Sequence, residues 1–201
     1  PRNFREVKDF LAGVRAGKDL EWRYEIAVPD SRKKGATQDY RIHVGESMGE
    51  GLRILWIHSK AKERLEGSNR ERRIAKAEQA LEKLSCVLNQ RALKTREQIE
   101  KAIKKAAQGA SAYLGVTIHE DRISERVQVG RGRPGPNTRY EDKESVNYRL
   151  EWARDEDEIA RARRSDGLFP LVDNTSLAPL EVLRTYKDQP YLEKRFSTKK
   201  S

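Results

Sequence analysis

Four polar side chains near the end of the sequence have the types and the spacing that chemistry on a phosphate requires. Tyr186, Gln189, Glu193 and Lys200 follow one another at offsets of three, four and seven residues. On an α-helix these offsets place all four side chains on one face, where a phenol, an amide, a carboxylate and an ammonium group converge. The alternative is an ordinary solvent-exposed helix face, and the spacing alone does not distinguish the two.

A second candidate is the basic loop GRGRPGPNTR at residues 130–139. Arg131 and Arg133 are joined there by a glycine, which makes a thin and extended cationic strip. Such a strip fits the narrow minor groove of A·T-rich DNA, where arginine is favoured. Because the core of the loop is similar to an AT-hook, we expect both arginines to contact DNA. The alternative is a Gly/Pro-rich basic hairpin tip without a ligand.

The charge balance favours a polyanionic partner. The chain has 42 Lys+Arg against 32 Asp+Glu, a formal net charge of +10 and a pI of about 9.7. Residues 60–108 alone hold 14 basic and 7 acidic side chains. A localised excess of this kind is typical of proteins that bind nucleic acid, although a solvated helix surface with scattered lysines has the same composition.

Other kinds of site find little support in the sequence. Cys86 is the single cysteine and lies in an apolar helical pattern, so we expect a buried and unreactive thiol. His43, His58 and His119 lie in separate strand-like segments without the spacing of a metal site, and we interpret them as structural. The sequence contains no apolar run of about 18 residues, so we expect a cytoplasmic, nucleoid-associated protein without membrane contact.

A mixed set of helices and strands must position these residues. Apolar residues at steps of three and four predict a helix over 3–16 and a helical hairpin over 69–108, whose second helix opens with a capping box at Thr95. A short helix after Asp155 and a terminal helix opened by Pro179 follow. Alternating or apolar segments predict strands at 20–28, 39–44, 52–59, 112–120, 123–130, 145–153 and 167–172. We expect the first three strands to form an antiparallel meander.

The end of the chain resembles the DDE transposases of the insertion-sequence-4 type. The signature of that family is Tyr, two residues, Arg, three residues, Glu, six residues, Lys, and Tyr186, Gln189, Glu193 and Lys200 stand at those spacings. Gln189 departs from the family's Arg, which removes a fixed cation and its bidentate grip on phosphate. The preceding DGLFPLVDN looks like the strand that leads into the signature helix. The basic helices and the RGRP loop look like the region that the family inserts between its second and third acids.

The resemblance implies a metal-dependent activity in the intact protein. In this family three carboxylates hold two Mg²⁺ or Mn²⁺ ions, which activate a water or a 3′-hydroxyl for cutting or joining DNA. Glu193 would be the last of these catalytic, metal-binding acids, while Lys200 would hold a phosphate and Tyr186 would position the element end. The other two acids precede this region in the family, and the sequence begins with Pro1 rather than Met. We therefore expect a piece that binds DNA, holds no metal tightly and is inactive alone.

These observations predict an α+β fold with mixed antiparallel strands and a long helical hairpin. The insertion region would span 1–165, and the end of a ribonuclease H-like core would span 166–201. The expected partners are DNA and the remainder of the transposase, and a homodimer is compatible with the sequence. One alternative is a non-catalytic DNA-binding or architectural module that uses only the AT-hook-like loop and the basic helices. Another is a structural interaction domain built on the hairpin. In an incomplete core, Trp152, Phe169 and Leu183 should be partly exposed.

Overall fold

The computed structural model describes residues 5–29, 35–47, 51–90, 92–130, 132–136 and 138–198, and it describes their side chains except at 46–47 and 190–198. These residues form an α+β fold, as predicted. The helices are α1 (Arg5–Ala16), α2 (Lys60–Ser85), α3 (Arg96–Ala106), α4 (Glu156–Arg164) and α5 (Pro179–Thr198), with a 3-10 turn at Ser111–Tyr113. The strands are β1 (Tyr24–Pro29), β2 (Thr37–Ser47), β3 (Arg53–Ser59), β4 (Leu114–Gln128), β5 (Tyr140–Arg154) and β6 (Leu168–Asp173).

The chain divides into two compact units. Unit 1 comprises Pro1–Asn69 and Ile159–Ser201, and unit 2 comprises Arg70–Glu158. Unit 1 holds a four-stranded sheet in the order β1-β2-β3-β6, whereas unit 2 holds the pair β4-β5. All strand pairs are antiparallel, and the predicted meander is confirmed for the first three strands. Strands β3 and β6 are hydrogen-bonded neighbours although residues 60–167 separate them in the sequence.

One face of the sheet in unit 1 packs against α5. Successive side chains of a strand point to opposite faces, so Tyr40 and Ile42 of β2 share a face with Leu55 and Ile57 of β3. These four side chains form a buried core cluster with Leu183 of α5. The expected partial exposure of Leu183 is therefore wrong, because the sheet itself covers it. Phe169 and Trp152 are partly exposed, as expected.

The opposite face of the same sheet packs against α1. Val7 of α1 is buried with Ile54 and Trp56 of β3. The ring of Phe10 stacks on that of Trp56 with 3.8 Å between centroids. The helix ends where predicted, at Gly17, whose amide donates a hydrogen bond to the carbonyl of Val14. Since both faces are covered by helices, β3 has a continuous apolar run from Ile54 to Ile57.

The helices of unit 2 bury the predicted apolar stripe, which includes Ile74, Leu81 and Ile99. The predicted capping box at Thr95 is present. Helix α2 begins at Lys60 rather than near residue 69, because the hydroxyl of Ser59 accepts a hydrogen bond from the amide of Lys62 and starts the helix directly at the end of β3. Cys86 is exposed, so its predicted burial is wrong. Helix α2 ends at Ser85, so the helical periodicity that predicted the burial of Cys86 does not extend to this residue.

Strands β4 and β5 form one long hairpin with 15 residues in each strand. The predicted segments 112–120 and 123–130 are a single strand, because Asp121 and Arg122 pair with β5 without interruption. Asn89, which has a φ of 63°, ties the hairpin to the segment after α2. Its side-chain amide donates to the carbonyl of Tyr148 at 3.0 Å, and its side-chain oxygen accepts from the amide of Tyr148 at 2.7 Å. Towards the tip, most side chains of both strands are exposed.

Candidate nucleic-acid interface

A buried ion pair fixes the connection between β6 and α5. Arg53 Nε donates to Asp173 Oδ2 at 2.8 Å, and the Asp173 side chain is only 5% exposed. The other carboxylate oxygen of Asp173 accepts from the amide and the hydroxyl of Thr175, at 2.9 Å and 2.8 Å. Arg53 also donates to the carbonyl of Leu177. Because one carboxylate holds both ends of the turn, it determines where α5 begins.

The same hydrogen bonds set the charge state of Asp173. Burial by itself raises the pKa of this carboxyl, but the hydrogen bonds from Thr175 and Arg53 and the positive charge of Arg53 together hold its pKa below the usual value. Asp173 is therefore ionised at neutral pH and serves as a structural anchor. Sequence reasoning missed this role, because the partner Arg53 lies far away in the sequence.

The described part of the signature helix carries Tyr186 and Gln189 on its exposed side. Tyr186 is 42% exposed, and its ring lies 6.0 Å from that of Phe169. Lys187, which the sequence did not single out, places its ammonium group 4.5 Å from the ring centre of Tyr40 and 5.8 Å from that of Tyr186. Cation–π contacts of this kind hold aromatic rings in place. Tyr186 thus contacts Lys187 and Phe169 while a large part of its side chain stays exposed.

The remaining predicted residues of this site fall outside the described side chains. Glu193 belongs to α5, but only its backbone is described, and Lys200 lies outside the described residues. The structure therefore brings Tyr186 and Gln189 to one helix, while the convergence of all four groups stays a prediction.

The predicted basic loop is the tip of the β4-β5 hairpin. Arg133 is exposed there, and Arg131 lies outside the described residues. Gly130 and Gly132 have φ values of 112° and 136°, which only glycine adopts without strain. The tip is closed by a hydrogen bond from the amide of Val129 to the carbonyl of Arg139. An exposed cationic loop at the end of this two-stranded hairpin can reach a groove or a phosphate of DNA.

The helices of unit 2 add further positive charge. Lys101, Lys104 and Lys105 are exposed on α3 at steps of three and one residues. On α2, two acidic side chains are already engaged within the unit: Arg154 of β5 binds Glu78 at 2.8 Å and Glu71 at 3.2 Å. The hydrogen bond from Arg154 lowers the pKa of Glu78. The three lysines therefore give the second half of α3 an excess of positive charge.

Among the described residues, no group of three or more His, Cys, Asp or Glu side chains is arranged to hold a metal ion. None of the described helices combines the length and the apolar character of a membrane span. Comparisons with protein-family models, with curated proteins and with solved structures found no match to this chain.

Proposed function

We propose that this chain is the DNA-binding part of a DDE-type insertion-sequence transposase, and that it contributes the last catalytic carboxylate, Glu193. The sheet order carries the proposal. Strand β6, which begins the stretch that resembles the family, pairs with β3 although residues 60–167 lie between them. A long excursion between two neighbouring strands is what an insertion into a catalytic core would produce. The sheet of unit 1 with α5 would then be the end of a ribonuclease H-like core, and the insertion would be residues 60–167 rather than the span 1–165 expected from the sequence.

The metal chemistry of the family does not belong to this chain alone. Two divalent ions need several carboxylates, and the resemblance carries only Glu193 over to this chain. Glu193 would complete a set whose other members lie elsewhere in the transposase. The chain by itself is expected to bind DNA without cutting or joining it.

Within this proposal the hairpin tip is the part that meets A·T-rich DNA. Arg133 is exposed at the end of a long ribbon, and it follows a glycine whose positive φ permits a narrow backbone. Arginine in a narrow minor groove gains from the strongly negative potential there. The same observation favours the second candidate function, a non-catalytic DNA-binding module that uses the ribbon alone.

The first experiment measures binding of fluorescent A·T-rich and G·C-rich duplexes to the full chain. We expect Arg133→Ala to weaken binding to A·T-rich DNA by about tenfold, the usual size of one lost arginine contact. Arg122→Ala is the matched control, because it removes the same charge from an exposed position on the shaft of the hairpin. Equal losses in the two variants would remove the case for a minor-groove tip.

The second experiment distinguishes the transposase from the architectural module. The chain is joined to the sequence encoded directly upstream of it, and strand transfer is assayed with Mg²⁺ or Mn²⁺ present. A transposase requires two further acids in that upstream sequence, and Glu193→Gln must abolish activity while DNA binding persists. An upstream sequence without such acids, or activity that survives Glu193→Gln, would contradict the proposal and leave the DNA-binding module.

A further inference from the structure

Unit 1 contains a polar cleft of about 710 Å³ that no motif of the sequence predicts. It lies beside α1 on the sheet face that carries Trp56, and it is bounded by the ends of α1 and α4 and by the first turn of α2. Its lining carries four cationic side chains, Lys18, Arg41, Arg163 and Arg164, and three carboxylates, Asp19, Glu63 and Asp166, together with the rings of Trp22 and His58. Its volume is in the range of small-molecule binding sites.

Hydrogen bonds between distant segments hold the walls of this cleft. Arg15 Nε donates to Ser165 Oγ at 3.0 Å, and Arg164 Nη1 donates to the carbonyl of Arg15 at 3.1 Å. On another side, Gly167 has a φ of 79°, and a Cβ atom there would lie 2.8 Å from the carbonyl oxygen of Ser59. Since the backbone approaches this closely only with glycine, Gly167 allows the segment after α4 to lie directly against the end of β3.

Among the described residues Arg41 forms no ion pair, although three carboxylates line the same cleft and one of them, Glu63, binds His58. Its guanidinium lies 4.8 Å above the ring centre of Trp22, and its Nη2 is 3.5 Å from His58 Nδ1. Its Nε is buried without a hydrogen-bond partner among the described residues. Glu25 stands opposite Arg41 in β1, yet the ion pairs of the described residues do not join them. Because Arg41 has no carboxylate partner, an anion that enters the cleft would gain charge-assisted hydrogen bonds from its guanidinium.

The pKa of His58 is affected by the positive charge of Arg41. Its Nδ1 faces the arginine and must accept, so Nε2 carries the proton and lies 3.1 Å from Glu63 Oε2. Burial is the main cause that lowers the pKa of His58, and the charges of Arg41 and Lys60 lower it further, while Glu63 raises it. The imidazole is therefore neutral at pH 7, and an arriving anion would favour its protonation.

We propose that this cleft binds a phosphate group, with the guanidinium of Arg41 as its main ligand and Lys18 and Arg164 at its rim. The phosphate can be a diester of nucleic acid or the free ion, since both offer the oxygen acceptors that arginine prefers. The proposal does not depend on the proposed function, because it uses neither Glu193 nor the tip of the β4-β5 hairpin.

The test follows the His58 ring and the Trp22 indole by NMR while the full chain is titrated with sodium phosphate. A second titration uses a short DNA duplex, and sodium chloride at equal ionic strength provides the blank. We expect saturable shifts with a dissociation constant on the order of 1 mM for the free ion. The pKa of His58 should rise on binding, because the anion offsets the charges of Arg41 and Lys60.

Variants decide whether Arg41 is the ligand. Arg41→Gln should weaken phosphate binding at least about tenfold. Arg23→Gln, which alters an exposed arginine paired with Glu21 outside the cleft, should leave phosphate binding unchanged. Arg41→Lys keeps the charge and replaces the Gln variant in this test if the latter does not fold. It should bind phosphate more weakly than the unmodified chain. If only the DNA duplex causes shifts, and the Arg41 variants abolish them, the ligand is the phosphodiester. If neither phosphate nor DNA causes shifts, or if the Arg41 variants bind as tightly as the unmodified chain, the proposal is overturned.

Discussion

Asp173 shows how one side chain can govern the start of a helix that carries a candidate site. Its carboxylate accepts hydrogen bonds from Thr175 in the turn and from Arg53 in β3, and Arg53 reaches on to the carbonyl of Leu177. The sheet thus fixes the position of the first residues of α5. Tyr186 lies two helical turns further along, so its place depends on this contact.

We expect Asp173→Asn to lower the free energy of unfolding by about 2 kcal/mol at pH 7, the typical contribution of hydrogen bonds to a charged group. Because the pKa of Asp173 is lowered in the folded state, its contribution is complete above the unfolded-state pKa near 4 and is lost as the pH falls through the folded-state pKa. Urea unfolding across this pH range measures the effect.

The control for this prediction is Asp9→Asn, which removes an equivalent charge from an ion pair that is largely exposed. Exposed pairs contribute at most about 1 kcal/mol, so this variant should change little at any pH. If the two variants lost equal stability, or if the loss for Asp173→Asn did not shrink in acid, the anchoring role of Asp173 would be contradicted.

Individual residues were predictable where the cause is local. Thr95 caps α3 as expected, because a capping box involves only neighbours in the sequence. The burial of Leu183 and the exposure of Cys86 were not predictable from their surroundings in the sequence. Leu183 is covered by a sheet formed from distant strands, and Cys86 depends on where α2 happens to end.

Among the elements, α5 is the one that connects the fold to the candidate site. It rests on the sheet through Leu183, which is fully buried with Tyr40 and Ile57. The strand and helix types were largely predictable from apolar periodicity, and so was the hairpin tip. The continuity of β4 was not, because Asp121 and Arg122 resemble a turn in sequence and are held in the strand only by pairing with β5.

Leu183→Ala should lower the free energy of unfolding by about 2 to 5 kcal/mol, because it leaves a cavity between α5 and the sheet. Leu65→Ala is the control, since Leu65 is 60% exposed on α2, and a surface change of this kind stays within about 0.5 kcal/mol. Chemical denaturation followed by circular dichroism measures both. Similar values for the two variants would mean that α5 is not anchored on this sheet.

At the scale of the whole molecule, the net charge of +10 predicts binding to DNA that depends steeply on salt. Each neutralised phosphate contributes about 0.9 to the slope of log K against log salt. The triple variant Lys101→Gln, Lys104→Gln and Lys105→Gln should therefore flatten the slope by up to about 2.7 units if these lysines contact phosphates.

The matched control neutralises three exposed cations of unit 1, Arg5, Lys8 and Arg64. This control changes the net charge as much as the α3 variant does. If the slope of log K against log salt falls only in the α3 variant, the lysines of α3 form the surface that contacts DNA. An equal response to both variants would indicate binding by net charge alone and would argue against a defined interface on α3.

The sheet order was beyond sequence reasoning, although its strands were not. Strands β1, β2 and β3 follow one another closely, and neighbours in sequence usually pair. The pairing of β3 with β6 spans residues 60–167, and no local pattern encodes which distant strand will arrive at that edge. For the same reason the candidate site could be predicted as a motif on one helix, but the hydrogen bonds from Arg53 of β3 to Asp173 and Leu177 could not.

That long separation between β3 and β6 has a consequence for the newly made polypeptide. While the ribosome adds residues 60–167, a task on the order of 10 s, the outer backbone groups of β3 have no strand to pair with. An open edge that contains Ile54, Leu55 and Ile57 is a template for association between chains. Slow translation of this stretch should therefore promote aggregation, and early chaperone binding to the emerging first strands should reduce it.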